Sequence, residues 1–115
     1  MEAARARELL ARERARVERE LAELERREDR GELADYDQHP ADTATELFDD
    51  ELQEGLAEQL REVLAAIERA EQRLRDGTYG LSVESGKPIP DERLEVIPWA
   101  ERTVEEQERY ERLTR

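Results

Sequence analysis

The sequence predicts an all-α protein in which two long helices pair as an antiparallel coiled-coil helical hairpin, followed by a small irregular lobe and a C-terminal helix. Charged residues make up 44% of the 115 residues and aromatic residues only 4%, a balance that suits solvated helices better than a thick globular core. Ala, Glu, Arg and Leu are strong helix formers. Apolar residues recur at alternating spacings of three and four, which places them in one narrow seam.

Residues 2–28 predict the first helix of the hairpin. Its seam consists of four apolar residues spaced by seven, four and three positions, namely Leu10, Val17, Leu21 and Leu24. Residues 29–41 break this pattern with Gly31, Pro40 and several aspartates, and they predict a connecting loop.

The second helix is expected to run from about Asp42 to Asp76, with Gly77 as a stop just past its end. Its apolar positions keep a strict alternation of four and three, namely Leu56, Leu60, Val63, Ile67, Ala70 and Leu74. Gly55 interrupts the helix at a cost of about 1 kcal/mol relative to Ala. Close packing against the first helix and a flexible point are both open explanations for this glycine.

The predicted elements divide the chain into two parts. Residues 1–76 form the hairpin with its tip loop at 29–41, and residues 77–115 form the lobe and a last helix over about 99–113. Because the connecting loop is short, each seam can be buried against the other inside one chain, which predicts a monomer. A parallel dimer is the alternative arrangement.

Acidic residues are concentrated in one window of the chain. The net charge is −13, and residues 31–60 contain ten Asp and Glu but no Lys or Arg. Residues 1–30 balance at nine Arg against nine acids. Direct binding to DNA or RNA is not expected, because phosphate recognition needs a basic face. A basic protein surface or a bound cation suits the acidic window better.

The sequence lacks the signals of several other protein classes. No apolar run is long enough to cross a membrane, and the start MEAARAREL lacks the hydrophobic stretch of a signal peptide. The chain has no cysteine and therefore no disulfide or thiolate metal site. No phosphate loop, Ser/His/Asp set or His/Glu metal helix is present. The expectation is a cytoplasmic, non-enzymatic protein without a membrane partner.

The candidate partner-binding residues lie at the predicted tip and are Asp35, Asp37, His39, Asp42 and Ala44. Asp42 opens the second helix, where an N-cap Asp is worth about 1 kcal/mol, so capping alone and partner contact are both open. His39 is the only histidine. Without an accompanying nucleophile or second histidine, an exposed loop residue is a simpler interpretation than a general base or metal ligand. A calcium loop is disfavoured because Pro40 stands where that loop needs Gly.

The lobe carries motifs that resemble one protein family. The segments are YGLSVESG at 79–86, RLEVIPWA at 93–100 and TVEEQ at 103–107. Together they are similar to the C4 zinc finger of the DksA/TraR family, and the His-Pro-Ala-Asp stretch at 39–42 resembles the YteA-like branch of that family. The family's four cysteine positions are occupied here by Ser82, Ser85, Thr103 and Glu106.

The resemblance implies a transcription factor that binds RNA polymerase by inserting its hairpin into the secondary channel, with the tip acting near the catalytic magnesium. The family's tip motif is Asp-x-x-Asp-x-Ala. Asp42 and Ala44 match its second half, and His39 stands at the position of the first Asp. Family members contact guanosine tetraphosphate through basic side chains on the second helix. The corresponding face here has Gln59 and Ala66, so the resemblance does not support a response to that nucleotide.

The lobe is expected to fold without a metal cofactor. Neutral hydroxyls are poor zinc ligands, and one carboxylate alone cannot hold the ion. Its stability must then come from packing, because a metal-free lobe of this size needs every apolar contact it can make. The expected small core consists of Tyr79, Leu81, Ile89, Leu94, Ile97, Trp99 and Val104.

Three functions are consistent with these observations. The favoured one is a regulator that binds RNA polymerase, because a purely structural hairpin has no need for ten unpaired acids in one window. The alternative is a structural or adaptor coiled-coil protein that kept the family fold without its regulatory activity, which fits the loss of the cysteines and of one tip Asp. A divalent-metal-binding protein that uses the tip carboxylates is a distant third.

Overall fold

The computed structural model describes residues 1–34 and 43–114, and the side chains of residues 1–27 and 51–114. Its four helices are α1 (Ala3–Ala34), α2 (Thr43–Asp76), α3 (Asp91–Val96) and α4 (Val104–Leu113). Within these ranges, the only β pairing is an isolated antiparallel bridge between Leu81 and Pro88. The prediction of an all-α fold is confirmed. None of the described helices has an apolar stretch that could span a bilayer.

The described residues form two compact units. The first unit consists of Met1–Arg14 and Ala65–Arg115, and the second consists of Ala15–Leu64. Both helices of the hairpin contribute to each unit. The division differs from a split at residue 76, and the expected domain boundary there stays a prediction.

In the first unit, α1 and α2 pack through a buried apolar seam. Leu10 is 1% exposed, and Ile67 and Ala70 are fully buried, which confirms these seam positions. The Arg14 guanidinium at the edge of the seam hydrogen-bonds to the Glu71 carboxylate. Because Leu10 shares a cleft with Leu74 while the later residue Arg14 pairs with the earlier Glu71, the two helices run antiparallel.

In the second unit, the seam is only partly closed. Val17 is fully buried, as predicted, and Ala57 is 2% exposed, whereas Leu56 is 44% exposed. The expectation that Leu56 is a seam residue is therefore wrong. A straight α-helix has 3.6 residues per turn, so a strict 3.5-residue pattern drifts around it and brings the neighbouring residue inward. An apolar groove of about 370 Å³ remains, lined in part by Leu24, Leu56, Leu60 and Val63.

The helix ends differ from the predicted ones at two places. α1 continues through Gly31 to Ala34 instead of ending near residue 28, because an internal Gly costs about 1 kcal/mol but does not break a helix as Pro does. The last helix starts at Val104 rather than near 99, because Thr103 caps it. The short helix α3 was not expected.

The C-terminus of α2 matches the predicted stop at Gly77. Gly77 has a φ of 79°, its N–H donates to the Leu74 carbonyl at 3.4 Å, and the Thr78 N–H donates to the Arg73 carbonyl at 2.9 Å. This pair of bonds is the Schellman arrangement, which needs a left-handed residue after the helix. Gly55 has no such requirement, since a Cβ placed there would meet nothing within 4 Å. The close-packing explanation for Gly55 is therefore wrong.

We expect Gly55→Ala and Gly77→Ala to change stability in opposite directions. Gly55→Ala should raise the free energy of unfolding by about 1 kcal/mol, because Ala is the better helix former in an open position. Gly77→Ala should lower it by roughly 1 kcal/mol, because a side chain at positive φ is strained. Urea unfolding followed by far-ultraviolet circular dichroism measures both. A loss of stability in Gly55→Ala would show that this glycine is required.

Candidate functional site

The predicted tip falls largely outside the described residues. Asp35, Asp37, His39 and Asp42 are not described, and Ala44 lies at the start of α2 with a side chain that is not described. The roles assigned to these five residues therefore stay predictions. The site that the structure does describe is the lobe.

The lobe begins with a tight turn over residues 80–89. Gly80 and Gly86 have φ values of 83° and 74°, which only Gly adopts without strain. The Ser82 N–H donates to the Lys87 carbonyl at 2.8 Å, and the Gly86 N–H donates back to the Ser82 carbonyl at 3.0 Å. The turn therefore closes on itself and presents the Ser82 side chain inward, where it is 5% exposed.

The Ser82 hydroxyl oxygen is a backbone acceptor inside this turn. It accepts the N–H of Glu84 at 3.1 Å and the N–H of Ser85 at 3.2 Å. The Ser85 hydroxyl oxygen accepts the Lys87 N–H at 3.3 Å. Each serine oxygen is thus held in place by the backbone around it, which leaves the hydroxyl hydrogens free to donate elsewhere.

Glu106 lies in the first turn of α4 and is 6% exposed. Its carboxylate accepts the Thr103 N–H at 2.9 Å, and the Thr103 hydroxyl oxygen accepts the Glu106 N–H at 3.3 Å. These reciprocal bonds form a capping box, which satisfies two donors that a helix N-terminus otherwise leaves unpaired.

The surroundings of the Glu106 carboxylate lower its pKa. The Thr103 N–H, which donates to the carboxylate, and the Ser85 and Ser82 side chains hold the pKa of Glu106 at about 2, well below the ordinary value of 4.5. Hydrogen bonds to the charged form stabilise a carboxylate in this way. The four predicted zinc-ligand positions, Ser82, Ser85, Thr103 and Glu106, all lie in the lobe, and we call them the lobe cluster.

The lobe cluster does not fit a zinc ion. Zinc sites in proteins use thiolates, imidazoles and carboxylates, and this cluster offers three neutral hydroxyls and one carboxylate whose lone pairs already accept hydrogen bonds. In the part of the chain that the structure describes, no group of three or more His, Cys, Asp or Glu side chains is arranged to hold a metal ion.

Beside the lobe cluster lies a small apolar core. Ile89 and Leu94 are buried together with Ala100, and Met1, Tyr79 and Ile97 pack against them as partly buried residues. Ala100 was not expected there, because one small residue gives no pattern signal. Trp99 is only partly buried and lines a cleft of about 610 Å³ that also contains Ala66 and Tyr110.

Two residues expected in that core lie at the surface instead. Leu81 is 40% exposed and Val104 is 47% exposed. Leu81 precedes the inward-facing Ser82, and successive side chains of an extended backbone point to opposite sides. Val104 lies two residues before Glu106 on a helix, so it faces away from the lobe cluster. The inward positions that an apolar pattern would assign are therefore occupied by the polar cluster.

Tyr79 joins the apolar core to the segment before Trp99. Its hydroxyl donates to the Pro98 carbonyl at 2.8 Å. Burial raises the pKa of Tyr79 to about 12, because the phenolate form is poorly solvated there.

Glu101 connects the lobe to α2 through two arginines. Arg69 donates to the Glu101 carboxylate at 2.7 Å, and the Arg73 guanidinium lies 3.7 Å from it. Desolvation by burial lowers the pKa of Arg73. The backbone contributes as well, since the Val83 N–H donates to the Glu101 carbonyl at 2.9 Å.

Comparison with known proteins places this lobe and the helices together in one family. A family model described as the prokaryotic dksA/traR C4-type zinc finger matches residues 77–112. The solved structure of transcription factor DksA2 from Pseudomonas aeruginosa superposes with a TM-score of 0.71 at 32% identity, covering 97% of this chain and 84% of that one. The chain belongs to the DksA/TraR family.

Curated relatives agree with that assignment. The chain is 49% identical over 70 residues to the uncharacterized protein YteA of Bacillus subtilis and 43% identical over 81 residues to general stress protein 16O of the same species. It is 39% identical over 88 residues to the RNA polymerase-binding transcription factor DksA of Caulobacter vibrioides. The matches cover 61%, 70% and 76% of this chain but only 29%, 50% and 57% of the relatives.

The cleft beside Trp99 contains Ala66, one of the two positions at which the family resemblance implies a basic side chain. The arginines that line it are engaged within the lobe and α2. Arg69 pairs with Glu101, the Arg93 guanidinium donates to the Arg102 carbonyl at 2.9 Å, and Arg102 lies 3.8 Å over the Tyr110 ring. Each of these arginines therefore already has a partner within the described part of the lobe or α2, and the lack of a response to guanosine tetraphosphate stays a prediction.

We expect Tyr79→Phe to remove part of the loss of stability at alkaline pH. The folded-state pKa of about 12 exceeds the ordinary value of 10.0. The unfolded chain therefore ionises first, and the stability that Tyr79 contributes below pH 10 is lost as the pH rises toward 12. Urea unfolding at several pH values between about 9 and 12 covers the range in which Tyr79 ionises in the unfolded and folded states. The free energy of unfolding should fall less steeply with pH in Tyr79→Phe than in the parent protein.

Tyr110→Phe is the matched control, because Tyr110 is 41% exposed. It should follow the parent protein through the alkaline range. An equal effect of the two substitutions would contradict the assignment of the raised pKa to burial at Tyr79.

Proposed function

We propose that this chain is a transcription regulator that binds RNA polymerase through the polymerase secondary channel, with its acidic hairpin tip acting near the catalytic magnesium. The observation that carries the proposal is the match to transcription factor DksA2 over 97% of this chain at 32% identity. A second relative bears the description of an RNA polymerase-binding transcription factor.

The charge distribution supports an acidic tip as the working part. Residues 31–60 hold ten acids and no Lys or Arg, whereas residues 61–76 balance at four against four. A localised negative potential favours approach to a basic surface or a hard cation such as magnesium. The net charge of −13 disfavours direct binding to nucleic acid, so we assign the polymerase protein as the partner.

The described helices support the other half of the proposal. In each compact unit, α1 and α2 bury apolar side chains such as Leu10, Val17 and Ile67 against the partner helix of the same chain. Salt bridges between exposed side chains, such as Arg12–Glu8 and Arg61–Glu54, leave the helix surfaces polar. A monomer that works in the cytoplasm without catalysing a reaction of its own is the form that we propose.

A structural or adaptor protein is the second candidate. It is favoured by His39, which stands where the family motif has its first Asp, and by the absence of cysteine from the whole chain. The two candidates differ in what they require of the tip. A regulator needs particular tip side chains, whereas an adaptor needs only the apolar seams and the helical surfaces.

We expect Asp42→Asn to weaken the effect of the protein on open-complex lifetime or nucleotide addition by about tenfold or more, while polymerase affinity changes by less than about threefold. Asn keeps much of the N-cap ability of Asp and removes only the charge. Ala44→Thr should act similarly by adding bulk, and His39→Asp should strengthen the effect by restoring the family motif. In vitro transcription beside a direct binding assay measures both quantities.

Asp76→Asn is the control for charge removal, because Asp76 is exposed and ends α2 at its other terminus. It should leave transcription and thermal stability unchanged. One outcome is that the parent protein alters transcription and that both Asp42→Asn and Ala44→Thr alter it to the same extent. That result would mean that the tip does not act on the catalytic centre. If the parent protein neither binds polymerase nor alters transcription, the adaptor function is the better proposal.

A further inference from the structure

We propose that the Arg102 side chain fastens α4 to the turn over residues 80–89, so that ionic contacts make the connection that a metal ion makes in a C4 zinc finger. This inference concerns how the lobe is built and does not rest on the proposed function. The family model that matches residues 77–112 is that of a C4 zinc finger. One pair of its ligand positions lies in the turn and the other lies at the start of α4, and the residues present there do not fit zinc.

The apolar core of the lobe does not reach α4. The core consists of three buried residues and three partly buried ones, namely Ile89, Leu94, Ala100, Met1, Tyr79 and Ile97, and all six lie outside α4. The structure describes every residue of α4, and of these Glu106 alone is buried. Val104 and Leu113 are 47% and 84% exposed. Apolar burial therefore leaves the attachment of α4 to other contacts.

The Arg102 side chain contacts the turn and α4 at the same time. Its Nε donates to Glu84 Oε1 at 3.1 Å, and its Cζ lies 3.8 Å from the centre of the Tyr110 ring. Glu84 belongs to the turn, between the first two ligand positions, and Tyr110 belongs to α4. Because a planar guanidinium can donate along its edge and stack with its face, one side chain joins the two elements.

The burial of this contact distinguishes it from the ion pairs on the helix surfaces. The Arg102 and Glu84 side chains are 18% and 37% exposed, compared with 64% and 55% for Arg12 and Glu8. Water screens a partly buried pair less than an exposed one, and the aromatic ring adds a cation–π attraction. The ring also restricts the guanidinium, which reduces the entropy that is lost when the ion pair forms.

The surrounding backbone holds Arg102 in the position that this contact requires. Its carbonyl accepts the Arg93 Nε–H at 2.9 Å, and the preceding residue, Glu101, accepts the Val83 N–H at 2.9 Å. A second guanidinium, that of Arg109 in α4, lies 4.0 Å from the Glu84 carboxylate. The negative charge of the turn thus has cations from both sides of the α4 N-terminus near it.

The packing of α4 against α2 leaves space between the two helices. The cleft of about 610 Å³ is lined by Ala66 and Arg69 of α2 and by Gln107, Tyr110 and Glu111 of α4. α4 has only 10 residues, and an isolated helix of that length is marginal in water. Loss of its attachment should therefore expose the amides of α4 to hydrogen exchange.

The pair Arg102→Gln and Lys87→Gln tests the proposal. Each substitution removes one positive charge from the lobe, and Lys87 is an exposed residue of the turn. Amide hydrogen exchange should show protection of residues 108–113 falling by about fivefold or more in Arg102→Gln, because a charge-assisted contact that holds the helix is lost. Lys87→Gln should change that protection by less than about twofold.

The Leu94 and Ile97 amides show whether the effect is specific for α4, because both donate to carbonyls in or beside α3. In Arg102→Gln their protection should stay within about twofold of the parent value. Equal loss of protection at α3 and α4 would mean that Arg102 supports the whole lobe, and this would overturn the proposal. Unchanged protection of α4, or an equal loss in Lys87→Gln, overturns it as well.

A double-mutant cycle with Glu84→Gln tests the contact itself. Glu84→Gln should lower the protection of the same α4 amides. The variant with both substitutions should lose no more protection than Arg102→Gln alone, because both changes remove one shared contact. Independent effects that multiply in the double variant would contradict the contact.

A chelator separates this attachment from one made by a metal. Protection of residues 108–113 in the parent protein should be the same with and without chelator, since no metal contributes to it. Stoichiometric zinc in protein purified without added metal, or loss of α4 protection on chelation, would overturn the proposal.

Discussion

The contacts of Glu101 are the interaction on which the attachment of the lobe to α2 depends. The Glu101 carbonyl accepts the Val83 N–H of the turn at 2.9 Å, and its carboxylate accepts hydrogen bonds from Arg69 of α2 at 3.1 and 2.7 Å. Because one residue makes both contacts, the turn and the C-terminal part of α2 are held against the same segment of the lobe.

The lobe also holds the start of α1. Arg5 makes two hydrogen bonds to the Glu95 carboxylate, at 3.2 and 2.8 Å, and Met1 packs against the apolar core around Ile89 and Leu94. Exposed ion pairs of this kind contribute little on their own. The apolar contacts therefore supply most of the stability, and the ion pairs select one arrangement. The proposed polymerase-binding hairpin requires contacts of this kind, because the lobe must hold the start of α1 in place when the two helices enter a channel.

The sequence predicted the parts of this structure that depend on periodic apolar positions and on special backbone angles. The seam residues Leu10, Val17, Ile67 and Ala70 follow from spacing, and Gly77 follows from the need for a left-handed residue after a helix. The burial of Leu56 was predicted wrongly, because the drift between a 3.5-residue repeat and a helix of about 3.6 residues per turn cannot be recognised from the spacing of apolar residues alone. Leu81 and Val104 were misplaced because apolarity alone suggested burial. The buried charge at Glu106 has no periodic signal, and only the family resemblance marked its position.

The position of the tip inside the polymerase can be measured directly. When Fe²⁺ replaces the catalytic magnesium of RNA polymerase, it generates hydroxyl radicals that cleave polypeptide only in its immediate neighbourhood. In a complex with this protein, labelled at one end, we predict cleavage within residues 35–46 and none within the lobe at 82–106. Absence of cleavage from a complex that demonstrably forms, or cleavage confined to the lobe, would contradict the proposal that the acidic tip acts near the catalytic centre.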